Sequence, residues 1–176
     1  AGRSFFPTQD GDGFVMVTDD IPGESLGQRL RKAQSPLTLD QKFSIARDLL
    51  EALAHCHRYA VIHRAISPAT IVLSKDGSIR LNDFDFARPG DRDGTSYTVA
   101  AELIDHVQEA YLAPEIVSDA SQSSAATDIY AVGVTLYELF TGSLPWEQAT
   151  DAFGVNCVFP EPPSAIVLLL PEGFDS

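Results

Sequence analysis

The 176-residue sequence predicts an α+β fold that combines antiparallel hairpins with long packed helices. Three observations carry that expectation. A helix-entry signal at Thr38-Leu39-Asp40-Gln41 leads into apolar residues spaced three and four apart. The run Ile129 to Phe140 is apolar nearly all round, as in a helix enclosed by the rest of a domain. Short strand-like runs flank turn-forming residues at 8–13 and again at Lys75-Asp76-Gly77.

In chain order, Phe5-Phe6-Pro7 and Phe14-Val15-Met16-Val17-Thr18 read as two strands joined through the turn-rich Thr8 to Gly13. The Asp10-Gly11-Asp12-Gly13 string has too few oxygen ligands, and no distal Glu, for a calcium loop, and reads as a plain turn. Pro22-Gly23-Glu24-Ser25-Leu26 opens a helix. From Thr38, where Thr and Gln can cap each other's free N–H groups, a helix presents Phe43, Ala46, Leu49, Leu50, Leu53 and Cys56 on one face. His55 and His57, two residues apart, point to different sides and read as surface or packing histidines rather than a metal pair. Gly142 is placed to end the later helix, Pro145 to prevent its continuation, and Trp146 to pack beneath it. A short helix is expected within Ala100 to Ala110.

Twenty-five acidic against twelve basic residues leave a formal net charge of −13, which repels phosphate backbones and anionic surfaces. Nucleic acid and membrane are therefore not expected as direct partners. The longest apolar stretch, Ala165 to Leu170, is far short of the ~20 residues that span a bilayer. Two cysteines, Cys56 and Cys157, are too few for a disulfide framework, and a reducing, cytoplasmic setting is the expectation.

The most specific signal is an ordered set of motifs. His63-Arg64-Ala65-Ile66-Ser67-Pro68-Ala69-Thr70-Ile71-Val72-Leu73 is followed by the Lys75-Asp76-Gly77 turn and by Leu81-Asn82-Asp83-Phe84-Asp85. Tyr111-Leu112-Ala113-Pro114-Glu115 and Asp128-Ile129-Tyr130-Ala131-Val132-Gly133 come after it. In this order and spacing the set resembles a protein kinase of the serine/threonine type: catalytic loop, metal-binding Asp-Phe-Gly, the Ala-Pro-Glu end of the activation segment, and the buried central helix. The resemblance implies a kinase-like fold, mostly the helical C-lobe, with the last N-lobe strands and hinge at residues 1–20. The C-lobe would occupy 21–176 and stop before its last helices. No Gly-rich phosphate loop or Val-Ala-Ile-Lys strand is present, so the chain reads as part of a larger polypeptide.

The same resemblance implies what is missing. Ala65 stands where an Asp would accept the substrate proton, Ser67 where a Lys would steady the phosphate, and Thr70 where an Asn would hold a metal. Asp83 alone remains for magnesium. Asp85 replaces a Gly that would supply freedom in φ, and its carboxylate either repels Asp83 or shares a cation with it. Nucleotide, if bound, would meet Thr18, Asp19 and Ile21 of the hinge and Val72. His63 is implied to pack beside Phe84, and Asp128 to accept hydrogen bonds from the loop backbone. Arg64 would pair with a phosphate added among Thr95, Ser96, Tyr97 and Thr98.

The reading that follows is a pseudokinase: a regulatory or scaffolding module that binds a protein partner or other domains of its parent chain. ATP and Mg2+ are its conceivable cofactors. The alternative is a divergent active serine/threonine kinase that uses Asp83 for metal.

Overall fold

The computed structural model of the chain describes residues 3–7, 14–18, 22–32, 34–89, 109–119, 122–146, 160–167 and 170. Its strands are β1 (Arg3–Pro7), β2 (Phe14–Thr18), β3 (Gly23–Ser25), β4 (Val61–Ile62), β5 (Ile71–Ser74), β6 (Ile79–Leu81) and β7 (Arg88–Pro89). Its α-helices are α1 (Leu26–Leu30), α2 (Leu39–Arg58), α3 (Pro114–Ser118), α4 (Ala125–Thr141) and α5 (Pro163–Ile166). A 3₁₀ turn covers Glu109–Tyr111. The calcium-like turn at 10–13, most of the 100–110 helix and the hydroxyl cluster at 95–98 lie outside the described residues.

β1 and β2 pair antiparallel, with Phe5 opposite Met16 and Arg3 opposite Thr18, as two strands on either side of a turn-rich segment were expected to. Residues 22–26 do not all open a helix. Gly23–Ser25 is a strand antiparallel to β5, and α1 begins only at Leu26. Gly23 is required by this pairing, because a Cβ there would sit 2.3 Å from the Leu73 carbonyl oxygen. Ser25 and Gln28 then cap α1 reciprocally, side chain to backbone, at 3.0 and 3.1 Å. The β5–β6 hairpin turns where expected, with Gly77 left-handed at φ +85°. Together these strands form a three-stranded sheet in the order β3-β5-β6.

α2 starts as its cap predicts: Thr38 Oγ1 accepts the Gln41 N–H, and Gln41 Oε1 accepts the Thr38 N–H. Its buried stripe is Ile45, Ala46, Leu49 and Leu53. Phe43 and Leu50 are corrected to exposed positions, 36% and 49% accessible. At about 100° per residue they share one azimuth roughly a quarter turn from the centre of that stripe. Phe43 still leans its ring on Phe140, centroids 5.1 Å apart, and Lys42 Nζ caps the Phe140 carbonyl at 3.0 Å.

α4 packs against α2 and buries Ala131, Val132, Val134, Leu139 and Phe140. It ends at Gly142 in the left-handed conformation, whose N–H bonds the Glu138 carbonyl. Trp146 stacks on Tyr130 of this helix, with rings 7° from parallel. Enclosure is incomplete among the described residues, since Ile129 is 59% accessible. Two apolar clusters result. One lies between α1, α2, β5 and α4. The other gathers Ala65, Tyr111, Leu112, Ala113, Ile116 and Val134. Among the described residues no helix is long and apolar enough to cross a membrane.

Candidate functional site

The segment between β4 and β5 is organised around one carboxylate. Asp128, in the first turn of α4 and 1% accessible, accepts three hydrogen bonds. Its Oδ2 takes the His63 N–H and His57 Nε2–H, each at 2.9 Å, and its Oδ1 takes the Arg64 N–H at 2.8 Å. Buried amides require acceptors, and a charged acceptor is a strong one, so Asp128 holds the loop to the helix as the resemblance implied. His57 is corrected from a plain surface or packing residue to a member of this clamp. A signal for it existed: position 57 continues the buried stripe four residues beyond Leu53.

His63 is fully buried. Its Nε2 donates to the Asn82 carbonyl at 2.9 Å and its Nδ1 accepts the Ala65 N–H at 3.3 Å, which fixes the neutral, Nε2-protonated tautomer. The ring lies against Phe84, centroids 4.4 Å apart. Burial lowers its pKa below 6.5, outweighing the opposing pull of the Asn82 carbonyl and the Asp128 and Asp83 charges. Above about pH 6.5 folded and unfolded chains both carry neutral imidazole here. Below it the unfolded chain takes up a proton that the folded chain resists, so stability falls as pH drops towards the lowered folded-state pKa. The thermal midpoint is expected to decline between about pH 6.5 and 5, and to decline less in His63→Phe. Identical pH profiles for the two would contradict the assignment.

The three substituted positions are all buried. Ala65 is inaccessible and packs in the second apolar cluster; Ser67 and Thr70 are each 7% accessible. Thr70 Oγ1 accepts the Ser67 N–H at 3.1 Å and donates towards the Ala65 and Ser67 carbonyls at 3.2 and 3.1 Å. Its backbone carbonyl accepts the Asn82 N–H at 2.8 Å, tying the loop to the start of Asp83-Phe84-Asp85. Asp83 is half-buried with φ +63°, whereas Asp85 is exposed and is not among the left-handed residues. The left-handed position thus falls on Asp83, a residue type that tolerates it, and Asp85 carries no such strain. Arg64 is also left-handed, at φ +72°, and is buried, with Nη1 3.5 Å from the Phe86 carbonyl.

The nucleotide-contact positions are only partly placed. Thr18 ends β2, where its backbone alone is described, and Asp19 and Ile21 lie outside the described residues. Val72 is half-buried on β5, opposite Ser25 and Arg80 in register. A cavity of about 780 Å³ lies between β3, α2 and the β5–β6 turn, lined in part by Leu37, Ile45 and Leu73. Successive strand residues face opposite ways, so this cavity is behind the sheet from Val72. A further pairing escaped sequence reasoning. The Tyr111 hydroxyl donates to the Glu138 carboxylate, and burial, reinforced by that carboxylate, pushes the Tyr111 pKa up. A carboxylate at Glu138, within the nearly all-apolar run Ile129 to Phe140, was the available clue.

Residues 5–159 match the protein kinase domain family. The chain belongs to the protein kinase family. It is 32% identical over 144 residues to cyclin-dependent kinase 20 of Homo sapiens, covering 80% of this chain and 39% of that protein. Over 157 residues it is 29% identical to the probable serine/threonine-protein kinase PknB of Lactococcus lactis, covering 89% of this chain and 24% of that protein. Testis-specific serine/threonine-protein kinase 2 of Mus musculus is 30% identical over 144 residues, 82% of this chain and 39% of that protein. The chain therefore spans less than half the length of these relatives.

Kinases of this family use ATP with magnesium held by a loop Asn and the Asp of Asp-Phe-Gly. The described residues of this kinase-family chain do not fit that two-ligand cation site. Thr70, at the first of those positions, turns its hydroxyl into the loop backbone, which leaves Asp83 as the one carboxylate of the pair. Among the described residues no group of three or more His, Cys, Asp or Glu side chains could hold a metal ion.

Proposed function

We propose that this chain is a catalytically impaired kinase module, a pseudokinase, that acts as a regulatory or scaffolding domain of a larger cytoplasmic protein. Its partners would be another protein or other domains of the parent chain. Residues 1–20 would be the end of its N-lobe and hinge, and 21–176 its C-lobe. One observation supports this reading above the rest: at the position of the proton acceptor stands a buried Ala65, packed among apolar side chains. A positioned general base contributes on the order of 10²–10⁴-fold in rate. Loss of the phosphate contact at Ser67 and the cation ligand at Thr70 deepens the deficit, since phosphoryl transfer depends on stabilising transition-state charge.

A second reading, an active serine/threonine kinase that holds metal through Asp83, draws on the intact frame: the Asp128 clamp and the His63–Phe84 contact. Transfer of labelled γ-phosphate from ATP to the full-length protein and to general substrates separates the two. Transfer no greater than that of Asp83→Ala is expected. Robust transfer abolished by Asp83→Ala would establish the second reading.

A further inference from the structure

We propose that Thr70 is a hydrogen-bond latch standing where the loop would otherwise hold a cation, and that residues 63–70 neither bind nor are ordered by a divalent ion. A hydroxyl has one proton and two lone pairs. In Thr70 the proton is shared between the Ala65 and Ser67 carbonyls, and one lone pair takes the Ser67 N–H. Magnesium demands oxygen ligands at ~2.0–2.1 Å in near-octahedral array. One lone pair is left over, but swinging the Thr70 side chain out of the loop to bring it to a cation would strip the Ser67 N–H of its acceptor and the hydroxyl of both carbonyls, inside a segment that is 7% accessible at both residues.

The neighbouring backbone groups are equally committed. Ala65 N–H bonds His63 Nδ1, Thr70 N–H bonds the Ser67 carbonyl, and the Thr70 carbonyl takes the Asn82 N–H. Asn82 is held from its other end as well, its carbonyl accepting from His63 Nε2. The loop, His63 and the residue before Asp83 thus form one closed hydrogen-bonded unit. Its shape is built in rather than conferred by ligand, which suits a module that presents a constant surface.

The inference shares its residues with the pseudokinase reading, but the two fail differently. Phosphate transfer by the wild-type protein would end that reading, whereas the latch is judged by amide exchange. In the full-length protein, hydrogen exchange at Ser67 and Thr70 is expected to be unchanged by Mg2+ added alone. Thr70→Val should speed exchange of the Ser67 amide by about tenfold, the equivalent of one net hydrogen bond. Thr70→Ser, which keeps the hydroxyl, should retain protection, and it serves as the decisive variant if Thr70→Val fails to fold. Mg2+-dependent protection of residues 65–70 in the wild type would overturn the proposal. So would a Ser67 amide that is indifferent to Thr70→Val, or one that Thr70→Ser exposes.

Discussion

Replacing Asp128 with alanine is expected to lower folding stability by about 3–5 kcal/mol, the range seen when one partner of a buried charged contact is removed. The loss is concentrated because three donors converge on this carboxylate: the amides of His63 and Arg64 and the ring of His57. Without it two amides stay buried and unpaired, each costing about 1–3 kcal/mol. Asp128→Asn should cost less, because its carbonyl oxygen can still accept while its NH₂ meets a donor. Urea denaturation of the full-length variants reads the difference, provided the transition is two-state. A shift under about 1 kcal/mol for Asp128→Ala would mean that the loop is held by something other than this clamp.

Placing an aspartate at position 65 is expected to damage the fold and to confer no phosphate transfer. Ala65 is inaccessible and surrounded by Tyr111, Leu112, Ala113, Ile116 and Val134. An ionised carboxylate placed there without a partner costs several kcal/mol, so Ala65→Asp should lose about 3 kcal/mol or more. The added group would also face a loop whose Thr70 hydroxyl is already engaged by its own backbone. Denaturation and a γ-phosphate transfer assay on the same variant test both halves. A stable Ala65→Asp protein that transfers phosphate would show that the missing base was the sole defect.

Ala65 also illustrates how much of the site was legible beforehand. That it lacks a titratable group is plain from its side chain, and its place between His63-Arg64 and Asp83-Phe84 made the loss interpretable. That it is buried in one cluster with Tyr111 and Ile116 was not, because those residues lie some 50 positions away along the chain. Thr70 behaves similarly. A hydroxyl in place of an amide suggests a weakened cation site, but only the folded loop brings Ala65 and Ser67 carbonyls to the same oxygen.

Elements governed by near neighbours were read well. The Thr38–Gln41 cap, the turn at Gly77 and the left-handed end of α4 at Gly142 each depend on contacts within a few residues, so their residue types declare them. The apolar stripe of α2 was read too broadly. Periodicity says which residues share a face, whereas the partner element decides how wide a face is covered, and Phe43 and Leu50 fell outside it. Strand β3 was missed for a related reason: three residues carry little pattern of their own, and their pairing is specified by β5.

Local chemistry along the chain thus sufficed for the kinase-like frame, its main helices and the alanine, serine and threonine at positions 65, 67 and 70. Which distant groups meet depended on folding. Spacing puts His57 on the stripe of α2, but that it meets Asp128 across 71 positions, and that Tyr111 meets Glu138 across 27, is not written there, because a hydrogen bond is chosen by distance in space and by the cost of leaving a buried polar group unpaired.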